Sequence, residues 1–504
     1  MKKIIIDKNH WQTRIAITID GRLQNIYFDS QAARSLERSY FKGIITKVLP
    51  GIQTAFVDIG QDKAGFLHIS EIDRELAIER ITEYTEKEPK SEKPKTRKRT
   101  RTPIDIGKIL KENEPILIQV SKEPIYEKGA KLTTCFTLPG RFIVLMPNIP
   151  RVGVSKKIAN REERIKLKEL VQKNLPEGMG AIIRTTSENA KIKDIIQDIK
   201  YLVLTWKMIQ NKFTTAKPTE RLHKDLPLSL QVVRDYLDDD VEEIVINNQE
   251  EQKQIYKFIR NIAPEFTHKV KLYKEPPPIF ERYEIEAQIE QALEKKVSLR
   301  SGGSLIIETT EAMTVIDVNT GKFVGKKTLE DTILKTNLEA AEESARQLRL
   351  RNIGGLIVID FIDMAVSAHR QQLIRTFEKI LKEKDKFQSV VLKVSEFGLV
   401  QMTRKRSGKT LIQQLTDTCP CCSGSGMIKS KQTETYEILR KLKRSLQEGK
   451  NVKSLELHVN REIFEYITSK EYNSILQLEK NFGCSITMVE EKNFALNRYK
   501  IEKT

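Results

Sequence analysis

Cysteine is scarce, with five in 504 residues, and three of them crowd into Cys419, Cys421 and Cys422. An odd, clustered set is not a secreted disulfide framework; it points to a reduced compartment and a metal. Long apolar runs are missing as well: no stretch approaches the ~18 consecutive apolar residues that a membrane span needs. The start, Met-Lys-Lys-Ile-Ile-Ile-Asp, has too short an apolar segment to read as a signal peptide. The six histidines are scattered, and none stands in a recognisable relation to a glycine-flanked serine, which disfavours serine or cysteine hydrolysis. A phosphate-cradling loop ending in Gly-Lys-Ser/Thr is absent too, because Ser301-Gly302-Gly303-Ser304 lacks the lysine and reads as a turn. No internal repeat is found.

What is present is ordinary in bulk and unusual in charge. Hydrophobic content of 39% and charged content of 31% exclude wholesale disorder. At ~100–200 residues per domain the chain should hold about three to five domains. The formal charge of +18 fits a polyanionic partner, nucleic acid before membrane, although a basic protein without such a partner fits it too.

Along the chain, residues 1–38 alternate short apolar runs with polar turns, as a hairpin does. Residues 39–128 show closely spaced strands with glycine corners, which suits a five-stranded OB-type barrel. It is interrupted at 82–103 by a tract with five basic residues among positions 95–101. That tract has too little apolar surface to order itself and is expected to be a mobile basic loop, either an RNA-touching arm or a spacer. Residues 129–222 mix strands with amphipathic helices, and Ile192, Ile195, Ile196, Ile199 and Leu202 form a stripe. Residues 223–292 read as helix, strand, helix. Residues 300–413 hold two strands, 304–308 and 314–318, then a helix at 329–350 and a strand at 356–361. The second strand, the crossover helix and the third strand make a βαβ unit, with its strands parallel and adjacent. From 431 a small separate α+β domain is expected.

Two aspartates sit near the carboxyl ends of the parallel strands, Asp317 and Asp360. Converging there, they repel unless a cation or proton intervenes, and Mg²⁺ favours one or two carboxylates with several waters. Asn319, two residues beyond Asp317, shares its face and can orient a carboxylate or water. The plainer alternative is a pair of carboxylates capping helix N-termini. Cys419 and Cys422 form a Cys-x-x-Cys turn, two thiolates at the bite of a tetrahedral Zn²⁺. A structural site needs four, and Cys135 and Cys484 stand alone, so a second copy of the chain would complete it. A redox pair or an empty thiol turn is the alternative. Phe56 and Phe66 are candidates for stacking bases, or else core residues.

These residues together resemble the RNase E/G family over roughly 40–430. The matching motifs are the run from Phe41-Lys42-Gly43 to Ile59-Gly60, Lys131-Leu132-Thr133-Thr134, Val144-Leu145-Met146-Pro147-Asn148, and Glu177-Gly178-Met179-Gly180 with Ile183-Arg184-Thr185. Further matches are Glu311 through Asn319, Arg346-Gln347-Leu348-Arg349-Leu350-Arg351, and Gly354 through Met364. The resemblance implies a multidomain α/β and α+β protein. Residues 1–38 and 223–292 would be two halves of an RNase H-like domain carrying the barrel 39–128, with a 5′-phosphate sensor at 129–222. A DNase I-like catalytic domain at 293–413, a zinc-link at 414–430 and a small domain at 431–504 would follow. It also implies that Asp317 and Asp360 hold Mg²⁺ with Asn319 assisting, and that Arg184 and Thr185, with backbone from Gly140 and Val144, grip a 5′-monophosphate. Phe56, Phe66 and Lys128 would hold single-stranded RNA. Cys419 and Cys422 would share Zn²⁺ between protomers of a homodimer or dimer-based homotetramer.

The implied activity is endonucleolytic cleavage of single-stranded RNA in rRNA maturation and mRNA decay, in the cytoplasm or a plastid stroma. A catalytically idle RNA-binding scaffold and a nuclease acting on DNA are the rivals. Cys421 inside the link and the length of the insertion 82–103 depart from the family pattern. No long disordered tail follows, so the shorter RNase G type is expected.

Overall fold

A computed structural model describes residues 1–30, 36–73, 105–124, 129–158, 160–188, 190–321, 329–406, 408–448 and 453–503. Lys128 and the basic tract 82–103 lie outside the described residues. The chain divides into two compact units, 1–411 and 412–504. None of the described helices is long and apolar enough to cross a membrane.

The first unit opens with three antiparallel strands, Lys2–Lys8, Gln12–Ile19 and Arg22–Ser30. Asp20 and Gly21 turn between the last two with φ of 50° and 75°, the pair of positive angles that tight hairpins require. The expected hairpin is therefore a three-stranded meander. Its first strand also pairs in parallel with Val241–Ile246, which pairs in parallel with Val270–Leu272. Residues 1–30 and 241–272 thus share one five-stranded mixed sheet.

A closed five-stranded barrel follows, built from Tyr40–Leu49, Thr54–Asp58, Gly65–His68, Lys131–Thr133 and Pro115–Lys122. Closure comes from Tyr40–Leu49, which pairs with both Thr54–Asp58 and Pro115–Lys122 and so leaves no free edge there. Two glycines permit the tight curl. A Cβ on Gly43 would lie 2.4 Å from Val57 Cγ1, and one on Gly65 would lie 2.6 Å from Leu132 Cδ1. The strand Lys131–Thr133 bonds to both of its neighbours, so the barrel's pairing runs past residue 128.

Next, the strands Leu138–Pro139, Ile143–Met146, Gly180–Ile183 and Val152–Val154 form a sheet beside helices Arg161–Asn174 and Ile192–Thr215. The longer helix buries Ile195, Ile199, Leu202, Trp206 and Ile209, whereas Ile192 is 61% exposed. The apolar stripe begins one turn later than the spacing suggested, because the first turn of the helix stands in solvent.

The last sheet of this unit runs in the order Lys296–Ser298, Ser304–Thr309, Met313–Asn319, Gly355–Asp360, Leu399–Arg404, Ser389–Val391. The helix Leu329–Leu350 crosses between the two central strands, which are parallel neighbours. It buries Ala340, Ala341, Ala345 and Leu348, and the small alanines let it lie close to Ile316, Ile357 and Ile359. Filling a core position with one such large aliphatic contributes about 1.5–3 kcal/mol. On the far side its arginines tie it to the opening meander: Arg346 Nη1 donates to Leu23 O at 2.6 Å and Arg349 Nη2 to Gln24 Oε1 at 2.8 Å. Arg351 is buried, and desolvation pushes its guanidinium down to about 10.

The second unit is a three-stranded sheet with Ser454–Asn460 in the middle, parallel to Ser485–Glu491 and antiparallel to Tyr499–Lys503. Leu455, Leu457 and Val459 are fully buried in one core with residues of helices Lys431–Glu448, Arg461–Tyr466 and Tyr472–Phe482. Glu456 and His458 alternate with them onto the other face.

Candidate functional site

Asp317 and Asp360 are direct register partners across the parallel pair. Strand alternation sends Ile316, Val318 and Ile359 into the helix-covered core and leaves both carboxylates on the opposite face. Asn319 lies on that face too, and its Nδ2 donates to Asp317 Oδ2 at 2.8 Å. Burial pushes the Asp360 carboxyl up from its ordinary range, and the charges of Asp317 and Asp363 push it further. Among the described residues neither Asp317 nor Asp360 has an ion-pair partner. This is an oxygen-rich edge with unrelieved negative charge.

The backbone leaving Asp360 is held from the crossover helix. Asn337, fully buried, donates to Ile362 O at 2.8 Å and accepts from Ile362 N at 3.0 Å. The sequence reading missed Asn337, since a lone helical asparagine carries no local signal of a distant partner. Beyond the clamp lies a cleft of about 580 Å³, lined by Asp363, Met364, Arg370 and Phe397 among others. The Phe397 ring is 87% exposed at this cleft and was also missed.

Arg184, Thr185 and Gly140 come together at the end of strand Gly180–Ile183, with Val144 on the adjacent strand. Arg184 Nη1 donates to Gly140 O at 2.6 Å, and Nη2 pairs with Asp235 at 2.9 Å. Thr185 is exposed. Gly140 has no room for a side chain, since a Cβ would lie 2.4 Å from Asp198 Oδ2. That carboxylate in turn accepts from the backbone N–H of Phe142 at 2.8 Å and of Ile143 at 3.2 Å. Burial acts to raise the Asp235 carboxyl, yet Arg184, Arg234 and Lys386 hold it below its ordinary range. Lys386 is itself pushed down to about 7 by burial, with Arg184, Lys2 and Arg234 adding to the effect. Arg184, Arg234 and Lys386 converge on the Asp235 carboxylate, while Arg234 also meets Asp225 at 3.7 Å and Lys2 pairs with Asp238 at 2.5 Å.

Phe56 and Phe66 face each other across neighbouring barrel strands, both half-exposed. Alternation puts Ala55, Val57 and Leu67 in the barrel core and the two rings outside it. The register continues on each side, with Lys47 opposite Phe56 and Lys131 beside Phe66. The outcome is a row of lysine, ring, ring, lysine across four strands; the two lysines were not foreseen, because only register assembles the row.

In the second unit Cys419 and Cys421 are exposed and Cys422 is half-buried, all as free thiols. Hydrogen bonds from the backbone N–H groups of Cys422 and Cys421 hold the Cys419 thiol below its ordinary value. Cys135 and Cys484 differ, because burial pushes both thiols up.

Comparison with known proteins shows the family. Residues 137–407 match the model of the Ribonuclease E/G family, and residues 418–504 match that of the RNase E/G thioredoxin-like domain. Ribonuclease G of Salmonella typhimurium (strain SL1344) is 39% identical over 442 residues, covering 88% of this chain and 87% of that one. Ribonuclease G of Haemophilus influenzae is 37% identical over 491 residues, 97% of each chain. Ribonuclease E of the same organism is 33% identical over 489 residues, 96% of this chain and 50% of that one. Similarity of that extent, running through the paired aspartates and the barrel alike, makes the chain a member of the ribonuclease E/G family.

Proposed function

We propose that this member of the ribonuclease E/G family is a Mg²⁺-dependent endoribonuclease acting on single-stranded RNA. The observation that carries the reading is the register pairing of Asp317 with Asp360, whose mutual repulsion a divalent cation would relieve. The donor set fits Mg²⁺, which takes one or two carboxylates and keeps its waters. Bound there, the ion would polarise a phosphoryl oxygen and lower the pKa of the attacking water. Asn319 would fix the orientation of Asp317, and Asn337 would keep the backbone after Asp360 in place. The Phe56 and Phe66 rings, with Lys47 and Lys131 at their flanks, would stack bases and meet phosphates.

Cleavage would be stimulated by a 5′-monophosphate. Arg184 stands with Arg234 and Lys386 around Asp235, and a guanidinium fork suits a terminal phosphate. To bind one, Arg184 would exchange its contact with Asp235. The domain scheme implied by the resemblance goes with this reading: an RNase H-like domain from 1–38 and 223–292, the barrel, the sensor, a DNase I-like catalytic domain, and the zinc-link. Cys419 and Cys422 would hold Zn²⁺ between two chains, since a Cys-x-x-Cys turn supplies half of a four-sulfur site and the Cys419 thiol is already disposed to ionise. Cellular work would be rRNA maturation and mRNA turnover in the cytoplasm.

One experiment separates this reading from an idle scaffold and from a DNA nuclease. Labelled single-stranded RNA and DNA of one sequence are incubated with the protein, with and without Mg²⁺. Cleavage of RNA alone, only with Mg²⁺, is expected, and no cleavage or cleavage of DNA overturns it. RNA with a 5′-monophosphate should be cut faster than RNA with a 5′-triphosphate or hydroxyl, and Arg184→Gln should erase the difference. Equal rates for the three ends would remove the sensor and leave the nuclease standing.

A further inference from the structure

On the face of the C-terminal sheet opposite its helices, Glu456 stands directly across from Glu502 in the antiparallel pair. Like charges in direct register destabilise a sheet unless something between them compensates. His458, two residues along the same strand and so on the same face, provides part of the answer. Its Nδ1 lies 3.0 Å from Glu491 Oε1, an arrangement in which the ring donates N–H to that carboxylate. In the neutral ring this leaves the Nε2 lone pair for a metal, with Nε2 3.5 Å from Glu456 Oε2 and 3.4 Å from Glu502 Oε2. Nε2 is buried and has no hydrogen-bond partner among the described residues, and one atom from each of the three side chains lies within 4.8 Å of the others. Lys500 pairs with Glu502 through Oε1 and leaves Oε2 turned to the histidine.

We propose that Nε2 of His458 and the carboxylates of Glu456 and Glu502 form a site for a divalent transition ion of the zinc class. The spacing suits it. Two ligands each ~2.0–2.1 Å from a tetrahedral ion stand about 3.3–3.4 Å apart, close to the separations seen here. One imidazole and two carboxylates leave a fourth position for water. The Glu491 contact supplies what metal-bound histidines regularly have, a carboxylate on the other ring nitrogen that fixes tautomer and orientation. An imidazole in the set selects for borderline ions over Mg²⁺ or Ca²⁺, which prefer oxygen throughout. This site is separate in residues and in ligand chemistry from both Asp317–Asp360 and the cysteine turn.

The test uses the full chain carrying Cys419→Ser and Cys422→Ser, stripped of metal and kept in excess Mg²⁺ so that oxygen-only sites are filled. Calorimetric titration with Zn²⁺ should show one ion bound per chain. His458→Gln should abolish the event, Glu502→Gln should weaken it at least tenfold, and Glu491→Gln should weaken it by about 10–100-fold. To guard against loss of folding, nitrogen resonances of the unsubstituted ring are followed as Zn²⁺ is added. The His458 Nε2 signal should move far more than the Nδ1 signal. Absence of a binding event, binding unchanged by His458→Gln and Glu502→Gln, or ring nitrogens indifferent to Zn²⁺ would each overturn the site. The cluster would then be a histidine held in a carboxylate cage by charge alone.

Discussion

Two sheets in this protein set carboxylates opposite one another in register, Asp317 with Asp360 in the first unit and Glu456 with Glu502 in the second. They differ in the third group. Beside Asp317 it is the neutral amide of Asn319, which donates one hydrogen bond and carries no charge. Beside Glu456 and Glu502 it is an imidazole, and the Lys500 ammonium pairs with Glu502 as well. The electrostatic consequences run in opposite directions: the Asp360 carboxyl is raised, whereas Lys500 holds the Glu502 carboxyl below its ordinary range. The pair without an internal counter-charge is the one we propose for Mg²⁺, since a hard cation with its waters would relieve it. A pair with a nitrogen ligand is partly compensated already, and suits an ion that stays.

Breaking the first pair should have the largest effect. Asp317→Asn and Asp360→Asn should each lower cleavage of labelled single-stranded RNA by about 10³-fold, because several kcal/mol of charge stabilisation depend on the ion. RNA affinity measured by fluorescence anisotropy should barely change. Near-normal turnover in either variant at ordinary Mg²⁺ would leave the two pairs without a functional distinction.

A smaller effect is expected where the substrate is held and no bond is broken. Phe56→Ala or Phe66→Ala should cost about 1–3 kcal/mol of RNA binding, as stacking platforms do. The rate at saturating RNA should stay close to that of the unsubstituted protein. A fall in that rate with affinity intact would place the rings in the chemistry and blur the division of labour.

The smallest effect sharpens the contrast through stability. A folded-state carboxyl raised above its unfolded value contributes stability that is present below pH ~3.9 and lost as pH rises through the folded value. In chelator at neutral pH, Asp360→Asn should therefore melt about 1–2 °C above the unsubstituted protein, a difference suited to an exposed position. Lowering the pH below ~4 should close the gap, and so should Mg²⁺ at neutral pH, by relieving the repulsion. A variant that melts lower than the unsubstituted protein under chelator would mean that Asp360 is a structural carboxylate.

Much of the first unit's last sheet could be read locally. The helix Leu329–Leu350 has the bounds that its apolar spacing predicted, and its two flanking strands are rich in β-branched residues. Other features had no local sign. Lys131–Thr133 is too short for alternation to show, yet it links Gly65–His68 to Pro115–Lys122 in the barrel. The run from Arg346 to Arg351 reads as a motif, while in the fold its arginines bind a helix to the opening meander.

From the sequence alone came the kinds of element, the aspartates at strand ends, the thiol turn and the surplus of positive charge. Those follow from periodicity and composition, which act over a few residues. The tertiary structure decided which strands are neighbours and in what register. It alone set Asp317 against Asp360, aligned Lys47, Phe56, Phe66 and Lys131 in one row, and turned His458 toward two glutamates. The physical reason is that register depends on burying one face of every strand at once. No single segment carries that information, because each strand's partner lies elsewhere in the chain.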